Sequence, residues 1–362
     1  MKIRDRYITK TLLSYTLVVL IVWLSIYSFF NFLTELNRVG TENYTILGAF
    51  KYIILQTPEV AYSQASPVIL LGCVLGMGHL ASTNQLLIFR ISGNSILKIT
   101  WLAIKNALIF MIAIIVIGEL VAPILSNYAE NSRSYSLSKD SSKSNQDGFW
   151  IRDGDNFINV KNNTDGKFFS GITIIEINSS NKIDRVIKSK NAKFDGNSLN
   201  MEDSQIFSID KTDGDNYEAI SLKSRNLYNK TVSFDKDLIS GLKKEPDELT
   251  TWNIFKQIQF LSDNKLRSVI FEVEFYKRLA KPLTLIAMIL LAMLFIFGSS
   301  RDVTFGRKVF FGAALGLIFE LLSRVGGAVA LSFEFSPLFS SFLPALIVTI
   351  VTMIFLIRKS IS

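Results

Sequence analysis

One histidine and one cysteine in 362 residues remove several chemistries at the outset. Cys73 has no second thiol to join, so an exported domain in this chain must be held by its own core. His79, the sole histidine, excludes a His-Glu-x-x-His zinc site and any multi-histidine metal centre, and at a helix end it reads as structural. Gly-x-x-x-x-Gly-Lys-[Ser/Thr] is missing, and with it the backbone cradle and lysine that hold nucleotide phosphates. The Gly-x-Ser-x-Gly turn that lifts a serine nucleophile is missing too. The sequence therefore implies neither an enzyme nor a cofactor.

What the sequence holds in quantity is apolar length. Runs at Leu12–Leu33, Val60–Leu80 and Trp101–Val121 approach the ~20 residues needed to cross ~30 Å of hydrocarbon. A second block holds Pro282–Phe297, Val309–Leu331 and Leu338–Ile357. Pro282–Phe297 is short for a crossing, but Phe271, Phe275 and Tyr276 precede it and its lysines can reach toward headgroups. Between the blocks, roughly from Ser126 to Asn264, the chain is strongly polar. The expected architecture is an α-helical polytopic membrane protein of six transmembrane helices, 3 + 3, with an inserted all-β domain. The divisions are 1–125, 126–264 and 265–362.

Lysine and arginine near span ends resist translocation and so choose the orientation. Lys2, Arg4, Arg6 and Lys10 precede the first span, and Arg90 and Lys98 lie between the second and third. Arg301, Arg307 and Lys308 lie between the fourth and fifth, and Arg358 and Lys359 close the chain. All four stretches fall on one side, which places both termini in the cytoplasm and the insert outside, which in a bacterium means the periplasm. The first apolar run is too long for a signal peptide and lacks an Ala-x-Ala pattern, so it is expected to remain. Ser126 to Lys265 holds 20 basic and 21 acidic residues, so the formal +8 resides in the membrane-proximal parts. That distribution suits anionic lipid and argues against nucleic acid.

Five Asp-Gly pairs, beginning at Asp147, Asp153, Asp165, Asp195 and Asp213, punctuate the insert and favour tight hairpins. Phe157–Val160, Ile172–Ile177 and Ile206–Ile209 approximate the alternation of a sheet with one buried face, giving an antiparallel sandwich or open roll. Between the second and third spans, Ser82 or Thr83 is expected to cap a short amphipathic helix and Gly93 to end it. Leu86, Phe89 and Arg90 would project from its neighbouring turns, suited either to transmit motion from a soluble motor or to rest on lipid. Gly72-Cys-Val-Leu-Gly76 and Gly312-Ala-Ala-Leu-Gly316 permit close helix approach.

Several short motifs, in order along the whole chain, resemble the lipopolysaccharide export permease family LptF/LptG. They are Asp5–Ile8, Glu59, Pro67, Ser92-Gly93, Gly118–Pro123, Gly148–Gly154, Lys281–Leu283 and Phe297–Arg301. Gly118–Pro123 and Phe297–Arg301 favour the branch that pairs with LptF. The resemblance implies a permease subunit of an ABC-type transporter. Its implied partners are an LptF-like paralogue, an LptB-like ATPase dimer, and LptC-like and LptA-like periplasmic β-jellyroll proteins. Lipopolysaccharide is the cargo. The inserted domain is then β-jellyroll-like, and the helix at about 82–93 is the counterpart of the family's coupling helix, with Asn84, Gln85, Leu86, Phe89, Arg90 and Gly93 facing the ATPase. Gln85 departs from a common glutamate, and Asn31 from a common lysine.

Basic residues at outer span ends oppose the topology bias, and under the resemblance they meet lipid A phosphates by charge-assisted hydrogen bonds. These are Arg38, Arg133, Lys277, Arg278 and Lys281; interfacial anchoring explains any one of them equally well. Glu320 and Arg324, four residues apart inside the fifth span, need protein or a wet cavity, or else form a purely structural pair. The family lines its lipid cavity and lateral gates with helices one and five, which implicates this pair with Phe29, Asn31, Phe32, Phe311, Leu315 and Phe319. The competing class is a non-transporting, ABC-coupled scaffold or mechanotransmitter. Such proteins place their external domain after the first span, against the 3 + 3 split here.

Overall fold

A computed structural model describes residues 3–137, 149–164, 167–178, 182–211, 218–234, 238, 246–298, 305–333 and 335–361. The helices are α1 (Ile3–Leu36), α2 (Ile46–Ser63), α3 (Ala65–Ser82), α4 (Gln85–Ile91), α5 (Ile96–Val116), α6 (Ala122–Leu137), α7 (Thr251–Asp263), α8 (Val269–Gly298), α9 (Phe305–Phe333) and α10 (Pro337–Ile361). A π-helical turn, Ile117–Val121, joins α5 to α6. Two compact units divide the chain: Met1–Arg133 with Val269–Ser362, and Ser134–Ser268.

Six helical stretches among the described residues are long and apolar enough to cross a membrane, all but the last four residues of the third within the first unit. They run Asp5–Leu36, Ala65–Ser82, Ile96–Leu137, Val269–Phe297, Phe310–Phe333 and Pro337–Ser360. Two boundaries correct the sequence reading. The fourth crossing is not short, because α8 starts at Val269 and spans 30 residues. The start assigned to the second crossing, Val60 to Ser63, belongs instead to the separate helix α2. The break at Gln64 has a chemical cause. Pro67 has no N–H to offer the carbonyl of Ser63 one turn back, and Lys281 Nζ takes that carbonyl at 3.0 Å.

The centre of this unit is α3, largely buried and packed by α1, α8 and α9. Glycine makes two of these approaches possible. A Cβ on Gly72 would stand 2.6 Å from the Thr16 Cα of α1, and one on Gly76 would stand 3.1 Å from Leu12 Cδ2. On α9, Gly312 and Gly316 receive Val74 and Leu70 of α3, at 3.3 and 3.0 Å from the corresponding Cβ positions. Each Gly-x-x-x-Gly pattern is thus spent on one face of α3.

The second unit is a six-stranded antiparallel sheet in the order β1-β2-β3-β4-β5-β6. Its strands are Phe149–Asp153, Asn156–Thr164, Phe168–Ile177, Ile183–Phe194, Ser198–Lys211 and Glu218–Thr231. Asp153-Gly154 and Asp195-Gly196 do sit at hairpin turns, with φ +60 at Gly154 and +74 at Gly196. The pairs at Asp147, Asp165 and Asp213 lie outside the described residues, as do Lys2, Gly148 and Ser299–Arg301 of the other motifs. Ile158, Val160, Ile172, Ile174, Ile187, Leu199 and Met201 form a continuous buried face.

The ladder is interrupted at one level from β2 to β6, along Lys161, Gly171, Lys190, Asp203 and Asn226. Gly171 and Asp203 adopt φ +66 and +48 there. Burial changes phase across the same line: Phe169 and Ile172 are both buried, as are Met201 and Ser204. One extra residue per strand creases the sheet without losing register, the effect a bulge has on a single pair. The result is a single open, creased sheet, the roll of the two expected forms.

Candidate functional site

α4 is held between α3 and α5, but its N-terminus differs from expectation. Ser82 and Thr83 do not cap it. Their hydroxyls donate to the His79 carbonyl of α3 at 2.9 and 2.8 Å, beside the Thr83 N–H that the same carbonyl accepts at 3.1 Å. Asn84 occupies the cap in a left-handed conformation, φ 60, with no side-chain capping bond. Gly93, at φ +83, ends the helix as expected, and Asn94 Nδ2 donates to the Phe89 carbonyl at 2.9 Å.

That tight entry sets which side of α4 faces out. Leu86 is buried in the core and Phe89 packs partly against it, so neither projects as expected. Gln85 is half-buried, and its Oε1 has no hydrogen-bond partner. The outward face carries Asn84, Leu87, Ile88, Arg90 and Ile91, with Ile88 60% and Ile91 78% exposed. Sequence reasoning missed Leu87, Ile88 and Ile91, although their apolar character in a polar turn was a signal.

The five basic residues do not form one patch. Arg133 Nε meets Glu35 Oε1 at 2.7 Å, its Nη1 meets Glu130 Oε1 at 2.9 Å, and its guanidinium lies 4.8 Å from the Tyr52 ring centroid. Tyr52 donates to Glu130 Oε2 at 3.1 Å and accepts from Gln56 at 2.6 Å. Burial, reinforced by the Glu130 charge, holds the Tyr52 phenol well above its ordinary pKa, so it remains a donor. Arg278, itself buried, bridges Glu274 at 3.1 Å and Glu119 of the π turn at 3.7 Å. Lys281 lies 5.1 Å from the Tyr62 ring centroid, besides its bond to Ser63. Lys277 packs beside Gly327 of α9, and Arg38 is exposed beyond α1. Glu35, Glu119, Glu130 and Glu274 are thus partners the sequence reading omitted.

α1 and α9 both flank α3 and leave broad apolar faces uncovered. Phe29 and Phe311 are exposed on these faces, and Asn31, Phe32 and Leu315 are half-buried. Phe32 meets Phe50 of α2 edge-on at 6.5 Å. Phe319 departs from this group, being buried in the core. Glu320 and Arg324 pair at 3.4 Å, with the arginine exposed. Among the described residues no cluster of His, Cys, Asp and Glu is arranged to hold a metal ion.

Six candidate crossings thus carry the short helix α4 between the second and third and the sheet between the third and fourth. The family model described as lipopolysaccharide export system permease LptF/LptG matches residues 6–358. The chain belongs to the LptF/LptG family. It is similar to the lipopolysaccharide export system permease protein LptG of Escherichia coli strain K12, 27% identical over 356 residues and covering 98% of both chains. The LptG protein of Haemophilus influenzae strain KW20 is 25% identical over 357 residues, again 98% of both. Membership in LptF/LptG together with the six candidate crossings describes a multi-pass inner-membrane permease.

Proposed function

We propose that this chain is the LptG-type half of an ATP-driven extractor, pairing with an LptF-like paralogue over an LptB-like ATPase dimer. Lipopolysaccharide would leave the outer leaflet of the inner membrane between the α1 and α9 faces. It would then pass by way of the sheet, in the periplasm, to LptC-like and LptA-like β-jellyroll proteins. The hydrolytic machinery belongs to the separate ATPase. The observation that carries this reading is α4: its inner residue Leu86 is locked into the bundle while Ile88 and Ile91 stand exposed, a rigid knob suited to a groove in a moving partner.

Ile88→Asp combined with Ile91→Asp is expected to leave expression and thermal stability unchanged and to abolish copurification of the ATPase subunit. Retained association and retained cell viability would sink the coupling assignment. Leu86 is the wrong residue for this test, because its loss would damage the core.

For the lipid headgroup, Arg38 and Lys277 are the better candidates, since Arg133 and Arg278 already neutralise carboxylates. Arg38→Ala with Lys277→Ala is expected to cut photocrosslinking to lipopolysaccharide by about a hundredfold, the scale of losing two hydrogen bonds to charged groups. Crosslinking at the unsubstituted level would remove both from the headgroup path.

A further inference from the structure

Lys105 is a charge inside a candidate crossing, Ile96–Leu137, where an unpaired ammonium is costly unless something meets it. No side chain among the described residues does. Lys98, Trp101 and Lys105 share one face of α5 at spacings of three and four residues. All three are exposed, Trp101 by 67%. Side chains lean toward a helix's N-terminus, so Lys105 leans back toward the level of Lys98. The same face borders a cavity of about 190 Å³ whose lining includes Asp5 and Ile8 of α1 and Phe89 of α4.

The geometry points to a binding site for an anionic glycerophospholipid in the groove between α1, α4 and α5. The two lysines would bracket its phosphate, Trp101 would sit at the level of its ester linkages, and the apolar slot would hold the upper methylenes of one chain. The cavity is smaller than the ~300 Å³ at which whole small-molecule ligands begin to be enclosed, which suits a lipid inserted only in part. Because Phe89 lines the slot, an occupant would touch the helix proposed to engage the ATPase. Placing this lipid in the cytoplasmic leaflet rests on the orientation proposed above.

The test uses the full-length protein in phosphatidylcholine nanodiscs carrying a trace of photoreactive phosphatidylglycerol. Peptides from α1, α4 and α5 at the groove are expected to be labelled about thirtyfold more than by the matching phosphatidylcholine probe, from roughly 1 kcal/mol for each of the two lysines. Lys98→Gln with Lys105→Gln should erase that preference, and excess inorganic phosphate should leave it intact. Equal labelling by the two probes, persistence in the double variant, or competition by inorganic phosphate would overturn the site. So would a double variant that sheds a copurifying protein while keeping the lipid preference, which would make the groove a protein contact. Orientation is read separately, by labelling Lys98→Cys in a Cys73→Ser background with an impermeant maleimide from each side.

Discussion

Arg278→Met is expected to lower the stability of the helical unit by about 3–5 kcal/mol, the scale of breaking a buried ion pair from one side. Arg278 is 9% exposed and bridges Glu274 of its own helix to Glu119 of the π turn. Methionine fills a similar volume and removes the guanidinium that both carboxylates share. The expected readout is a large drop in the midpoint of thermal unfolding in detergent. Most of the loss should return when Glu119→Gln and Glu274→Gln are added, because the uncompensated charges are then removed. A midpoint unchanged by Arg278→Met would show that the guanidinium is free for another ligand, as a headgroup role requires.

Gly72→Ala is expected to cost at least the roughly 1–3 kcal/mol of an overpacked core, far more than Gly76→Ala one turn away. The two glycines sit in the same motif against the same helix, yet what they meet differs. A Cβ on Gly72 runs into the Thr16 Cα, which is backbone, whereas one on Gly76 first meets the flexible Leu12 Cδ2 at 3.1 Å. Thr16→Ala should therefore fail to rescue Gly72→Ala, and Leu12→Ala should relieve Gly76→Ala. Unfolding midpoints of the four variants decide the matter; equal losses at Gly72 and Gly76 would refute this account of how α1 sits on α3.

The six crossings were legible because hydrophobic length is a local property, carried by each run alone. Contacts between runs were not. Glu274 and Arg278 stand four apart and Glu130 and Arg133 three apart, so half of each ion-pair cluster was open to reading from spacing. The other halves, Glu35 and Glu119, arrive through packing, Glu35 from 98 residues before Arg133. Without them the arginines read as free for lipid. The face of α4 was equally hidden, since seven residues give too little periodicity to fix a side and the left-handed Asn84 rotates the helix on entry. In the sheet, Gly171 hints at the crease, and Asp203 shares its positive φ as a residue type that tolerates it, but neither signal is specific inside a strand.

The strand order carries a consequence for how the chain is made. Each strand bonds only its neighbours in sequence, so the sheet unit has low contact order for an all-β fold and is complete once residue 268 has left the ribosome. The helical unit cannot finish then, because α3 depends on α8 and α9, which have yet to be synthesised. Nascent protein must therefore pass through a stage with a finished sheet and a half-built bundle whose most buried helix still lacks two of its neighbours. That interval is where an insertion chaperone would find α3 uncovered.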